Sequence, residues 1–223
     1  GANNSRFRSD LYLYNPSRSV RSVVLQAQPW DSTRPPITIN LTMLSNEARV
    51  IKDVAMRLFG IEGFARLRYQ SNNDSSGVRV TSRTYALEDS GATYGFLMPP
   101  LNSFQSAAPG DALEILGVTG GEQYRTNVGL VEMSAFGRTG NASVRIELID
   151  DRGRTIDSFT TTVPLAGGVQ LNDIFRARGL GVGPTAALIR VTPLSGMIGA
   201  YASVVDNGTN DSIYLAANLA AHD

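Results

Sequence analysis

Three stretches of this chain occur twice, in the same order, about 117 to 120 residues apart. FRSDLYLYNPS, from Phe7, is echoed by YRTNVGLVEMS, from Tyr124. RVIKDVAMRLFG, from Arg49, is echoed by VQLNDIFRARGLG, from Val169, and VRVTSRTYALED, from Val78, by MIGAYASVVDN, from Met197. Ordered matches at a near-constant offset are what duplication leaves behind, and a repeat sets the domain count before any local reading. Between the copies, PPLNSFQSAAPG (99–110) is rich in Pro, Ser and Ala and has no apolar period, the mark of a linker. A first repeat at 1–104 and a second at 105–223 are therefore expected. One asymmetry stands out. DALEILGVTGG, from Asp111, precedes the second copy and reads as an extra strand, whereas only GANNSR precedes the first. The first copy has either lost its N-terminal strand or never had one.

Within each copy, apolar residues alternate with polar ones. In Val144-Arg145-Ile146-Glu147-Leu148 the apolar side chains fall on one face and the charges on the other; Arg66-Leu67-Arg68-Tyr69 and Val78-Arg79-Val80-Thr81 repeat the pattern. A period of two means antiparallel strands with one wet face. Turn residues punctuate the runs at Ser71–Gly77, Asp150–Gly153 and Asp206–Asp211, each read as a hairpin connection. One short helical signal per copy, Asp53–Phe59 and Asp173–Ala177, is followed by a stopping glycine, Gly60 or Gly179. Val54 and Leu58, four apart, would face the core, and the turn would plug one end of a sandwich. The expected fold is all-β: two tandem immunoglobulin-like antiparallel β-sandwich domains, each with one short helical turn. The Cys–Trp–Cys cluster of antibody domains is missing; Trp30 is the single tryptophan and stands beside a turn.

These segments (FRSDLYLYNPS, VTSRTY and ATYG in the first copy; YRTNVGLV, QLNDIF and AYASVVDN in the second) resemble tandem immunoglobulin-like repeats of large secreted proteins from GC-rich environmental bacteria. The resemblance covers nearly the whole chain. It implies an extracellular, non-catalytic β-sandwich pair and carries no activity onto any residue. Such repeats usually have a strand before the first copy, so a trimmed or processed N-terminus is expected here.

Composition removes several classes of function. With 42% hydrophobic and 18% charged residues the chain is neither disordered nor membrane-embedded, and no apolar run is long enough for a spanning helix. The polar opening GANNSRFRSD is not a signal peptide, though a mature secreted domain reads the same way. Without cysteine there are no disulfides, thiolate metal sites or thiol nucleophiles. Twenty basic residues, of which only Lys52 is lysine, balance twenty acidic ones, so nucleic acid is a poor partner. The charge is unevenly placed. Residues 1–105 hold 12 basic and 8 acidic residues and the remainder 8 and 12, giving about +4 and −4, enough for the modules to attract each other.

No residue set points to catalysis. The one histidine, His222, is at the C-terminus, and no GxSxG, HExxH or Walker sequence occurs. Gly179-Leu180-Gly181-Val182-Gly183 follows a helical signal and precedes Pro184, the wrong order for a phosphate loop, and reads as a connector. Glu62, Glu88, Asp89, Glu132 and Glu147 are candidates for paired-carboxylate glycoside hydrolysis, but nothing in the sequence brings two together. Asp206, Asn207, Asn210 and Asp211 form a weak calcium candidate whose spacing is not that of an EF-hand. Tyr12 and Tyr14 share a face opposite Leu11 and Leu13. With Tyr69 and Tyr85, and with Arg66, Arg68, Arg79 and Arg83, they are the candidate binding face. Asp10 and Asn127 hold matching positions, as do Asp53 and Asp173; these four are read as structural, the latter two capping the helical turns through their side chains.

The expectation is a non-catalytic, secreted or cell-surface module for adhesion, spacing or surface assembly, without a cofactor. Its partner would be protein, or a copy of itself, bound through a sheet edge by strand donation or through charge complementarity. A carbohydrate-binding module, with a glycan as partner, and a hydrolase with carboxylates in the groove between modules are the alternatives.

Overall fold

The computed structural model describes residues 6–29, 35–63, 65–71, 77–87, 91, 93–102, 105–134, 140–180 and 186–221. The chain divides into two compact units, Gly1–Pro100 and Leu101–Asp223, a few residues ahead of the expected boundary. Both are all-β. Among the described residues there are four antiparallel sheets, none closed into a barrel, and two short helices.

The first unit runs β1 (Arg6–Tyr14), β2 (Arg21–Pro29), β3 (Ile37–Met43), β4 (Ala48–Ile51), α1 (Val54–Phe59), β5 (Ala65–Ser71), β6 (Arg79–Leu87) and β7 (Thr93–Met98). Its sheets are ordered β4-β1-β6-β7 and β3-β2-β5. The second runs β8 (Ser106–Ala107), β9 (Leu113–Leu116), β10 (Tyr124–Glu132), β11 (Ala142–Asp150), β12 (Thr155–Val163), β13 (Gly168–Leu171), α2 (Ile174–Ala177), β14 (Ala186–Pro193), β15 (Ile198–Asp206), β16 (Ser212–Ala216) and β17 (Asn218–Leu219). Its sheets are ordered β13-β10-β15-β16, with β8 beside β15, and β12-β11-β14-β9-β17. Strand for strand, β4-β1-β6-β7 matches β13-β10-β15-β16, and β3-β2-β5 matches β12-β11-β14. The second unit then adds β9 and β17 beyond β14. In each unit one core draws on both sheets, an arrangement compatible with a β-sandwich.

Alternation becomes burial as the pattern requires. Val144, Ile146 and Leu148 of β11 are fully buried, while Arg145 and Glu147 face outward and pair at 3.6 Å. Leu11 and Leu13 of β1 and Val23, Leu25 and Ala27 of β2 do the same in the first unit. Each such Leu, Ile or Val removed from water contributes roughly 1.5–3 kcal/mol before the entropic cost of ordering it. The helical turns complete the cores with Val54 and Phe59 in one unit and Ile174 and Phe175 in the other; Leu58 packs alongside, half-buried. Gly60 (φ 64°) and Gly179 (φ 71°) end them in the left-handed region.

Two expectations need correction. Asp150–Gly153 and Asp206–Asp211 do form hairpins, joining β11 to β12 and β15 to β16. Ser71–Gly77 does not: β5 and β6 lie in different sheets, so this connection crosses between sheets. Asp53 and Asp173 also do not cap through their side chains. Both sit at the N-cap with left-handed backbones (φ 48° and 44°) and make no side-chain capping bond. Aspartate is one of the few residues that tolerates this conformation. Trp30, Glu88, Asp89, residues 72–76, the Gly181–Gly183 part of the glycine-rich connector and His222 lie outside the described residues. Among the described residues, no helix is long and apolar enough to cross a membrane.

Candidate functional site

The two units differ most at one sheet edge. In the second unit β9 runs antiparallel to β14, with Leu113 opposite Val191, Glu114 opposite Arg190, Ile115 opposite Ile189 and Leu116 opposite Leu188. Leu113, Ile115, Ile189 and Val191 are fully buried. On the outer face the Arg190 guanidinium donates to Glu114 Oε1 from Nη2 at 2.8 Å and from Nε at 3.1 Å. In the first unit β5 holds the place of β14. Among the described residues no strand pairs with its far edge.

Ladder register carries the comparison to single residues. The β2–β3 pairing starts at Arg21 opposite Met43, as β11–β12 starts at Ala142 opposite Val163. Leu25 then corresponds to Ile146, and its partner Tyr69 to Val191; Gln26 opposite Arg68 matches Glu147 opposite Arg190; Ala27 opposite Leu67 matches Leu148 opposite Ile189. Leu67 and Tyr69 therefore occupy core-facing positions that β9 seals in the other unit. Here Leu67 is only half-buried and Tyr69 is 36% exposed. Arg68 stands where Arg190 stands, on the outer face.

A second cluster lies on the outer face of the β4-β1-β6-β7 sheet. Arg8, Asp10, Tyr12 and Tyr14 of β1 lie opposite Tyr85, Arg83, Thr81 and Arg79 of β6. Asp10 is 1% exposed. Its carboxylate accepts from Lys52 Nζ at 2.7 Å, the Asp53 amide at 3.0 Å and the Tyr85 hydroxyl at 3.2 Å. Burial alone would push this carboxyl up, but Lys52, the amide and the phenol together hold it below its ordinary range. Burial and the Asp10 carboxylate push the Tyr85 hydroxyl up, against the opposing charges of Lys52 and Arg8. The Arg83 guanidinium sits 4.9 Å over the Tyr85 ring and donates to Thr93. In the second unit Asn127 takes the place of Asp10, and its Oδ1 accepts from the Asp173 amide, also at 3.0 Å. The four residues read as structural thus form two equivalent latches that hold a left-handed aspartate at the head of a helical turn.

The candidate binding face divides. Tyr12, Tyr14, Tyr85, Arg79 and Arg83 share one outer face, whereas Arg66 and Arg68 lie on the other sheet of the unit and Tyr69 turns to its core side. The calcium candidates are engaged in a turn. Asp206 Oδ1 accepts from the Gly208 and Thr209 amides, which holds its carboxyl low, and Asn207 Oδ1 accepts from Arg125. Among the described residues no group of three or more His, Cys, Asp or Glu side chains is placed to hold a metal ion. Of the carboxylates, Glu62 is exposed, Glu147 pairs with Arg145, and Glu132, 2% exposed, accepts from the Ser134 amide at 3.0 Å.

Sequence reasoning missed Asn15. It is fully buried, accepts from the Ser17 amide at 3.0 Å and donates to the Ser19 and Leu44 carbonyls, both at 2.8 Å, pinning two loops together. Asn15, just past β1, and Glu132, the last residue of β10, close matching strands, and each accepts an amide two residues on, so Glu132 belongs to the scaffold. The signal was present in NPS and EMS, a polar residue and then a serine closing an apolar strand. No protein-family model matches this chain, and no curated protein matches it.

Proposed function

We propose that the chain is a non-catalytic binding and structural module of the secreted or cell-surface kind, built from two diverged copies of one β-sandwich, whose first copy accepts a strand from another polypeptide. The observation that carries this is the contrast between β14, sealed by β9, and β5, beside which no further strand lies among the described residues. An edge that exposes backbone amides and carbonyls beside half-covered apolar side chains is a template for strand addition. Adhesion and surface assembly are the roles such an acceptor serves.

Grafting tests the acceptor. Residues 111–123, placed directly ahead of Arg6, give a copy of β9 the same connection to β1 that it has to β10. The first unit should gain several degrees in melting temperature, and the β5 amides should become protected from hydrogen exchange. No gain in either would mean that β5 is a finished edge and not an acceptor.

The outer face bearing Tyr12 and Tyr14 supports a second reading, as a carbohydrate-binding surface, because Tyr14 is 39% exposed beside Arg79. Calorimetric titration against a polysaccharide panel checks it. Binding lost in Tyr14→Ala sustains it, and no heat with any glycan removes it.

A further inference from the structure

We propose that Asn207 is a self-modification site: its side chain condenses onto the amide nitrogen of Gly208, and a clasp made by Arg125 and the Glu122 carbonyl holds that reaction back while the β15–β16 hairpin stays closed. Asn207-Gly208 is the one Asn-Gly pair in the sequence. Glycine has no Cβ to keep its nitrogen from the preceding side chain. In the reaction the Gly208 nitrogen attacks Cγ of Asn207. A C–N bond forms, the Cγ–Nδ2 bond breaks, and ammonia leaves with the proton of the Gly208 amide. The product is a cyclic imide, a succinimide. Water then opens it at one carbonyl or the other, leaving aspartate or isoaspartate. Water is the only co-reactant.

The turn is open to water yet restrained. Asn207, Gly208 and Thr209 are exposed. The Asn207 carboxamide, however, is turned toward the start of β10. Its Nδ2 donates to the Glu122 carbonyl at 2.9 Å, and its Oδ1 accepts from Arg125 Nη1. Its backbone amide donates to the Gln123 carbonyl at 2.8 Å. Both ends of the side chain must let go before Cγ can reach the next nitrogen. That nitrogen is held as well. The Gly208 amide donates to Asp206 Oδ1 at 2.7 Å, and a carboxylate on the N–H opposes loss of its proton. The Asn210 amide closes the turn on the Asp206 carbonyl at 2.8 Å, and Arg125 Nη2 reaches Asn210 Oδ1 at 3.4 Å. Local opening of this network therefore sets the rate. The isoaspartate branch adds a methylene to the main chain inside the turn, next to the Val205–Ser212 pair that starts the β15–β16 ladder. A chain converted along that branch holds β16 more loosely.

The test incubates the whole 223-residue chain beside a peptide of residues 203–213 in mildly alkaline buffer, with conversion at Asn207 read by peptide mapping and mass spectrometry. The peptide should convert readily, and the folded chain at least about tenfold more slowly. Arg125→Gln, where its melting curve matches wild type, should move the chain's rate most of the way to the peptide's. If that variant is less stable, wild type in urea below its unfolding transition serves instead. Conversion should then accelerate in step with hydrogen exchange at the Asn207 and Asn210 amides. A folded chain that converts as fast as the peptide, or at a rate indifferent to both Arg125 and local opening, would show that the clasp restrains nothing. No conversion in chain or peptide would remove the site altogether.

Discussion

β14 and β5 hold the same place in sheets of the same strand order, yet among the described residues one is an inner strand and the other an edge. Their sequences reflect this. β14 presents Leu188, Ile189 and Val191 around a single arginine, as befits a strand covered on both sides. β5 presents Arg66, Leu67, Arg68 and Tyr69, and its outer-face arginines are of the kind that protects an exposed edge from indiscriminate pairing. The second unit shows what a filled edge at this place in the sheet looks like.

The largest expected effect comes from the two core positions that this comparison equates. Ile189→Ala should cost about 3–4 kcal/mol, since Ile189 is fully buried between β11 and β9. Leu67→Ala should cost about 1–2 kcal/mol, because its site is half open and the solvent already reaches it. Denaturant unfolding separates them, with fluorescence of Trp30, the single tryptophan, reporting the first unit and circular dichroism both. Equal costs would mean that β5 is covered in solution.

The latches come next. Asp10→Ala removes a charged acceptor from the Asp53 amide and should cost about 2 kcal/mol, against about 1 kcal/mol for Asn127→Ala, whose acceptor is neutral. The pair also separates by pH. Because folding lowers the Asp10 pKa, its contribution is complete above the unfolded value near 3.8 and is lost as the pH falls through the folded one. Asp10→Asn keeps an acceptor for the Asp53 amide, as Asn127 does for Asp173, but cannot titrate. Followed by Trp30 fluorescence down to about pH 2.5, the first unit of Asp10→Asn should lose less stability than wild type. Parallel acid losses in the two proteins would show that Asp10 does not carry the dependence.

Much of the fold was visible in local pattern. Alternation in Val144–Leu148 named the buried face, and two glycines marked where the helical turns stop. What escaped was non-local. Turn residues at Ser71–Gly77 announce a change of direction but not which sheet the next strand joins, so a crossover reads like a hairpin. The same gap grouped Arg66 and Arg68 with Arg79 and Arg83, which alternate alike in sequence yet belong to different sheets. Asp53 and Asp173 look like ordinary N-caps because composition cannot show that a backbone is left-handed. The difference between the two units was half legible: DALEILG, ahead of the second copy, reads as a strand. That β14 would be its partner depended on pairing between residues far apart in the chain.

The smallest expected effect concerns Glu114. Its pair with Arg190 is partly solvated, with side chains 27% and 41% exposed, so Glu114→Gln should cost the second unit about 0.5 kcal/mol. Hydrogen exchange at residues 113–116 should stay slow, because Leu113 and Ile115 hold β9 by burial. Fast exchange there would show that charge holds the strand. At β14 the donor is tethered a few residues from β10 and arrives at high effective concentration, so a weak pair changes little.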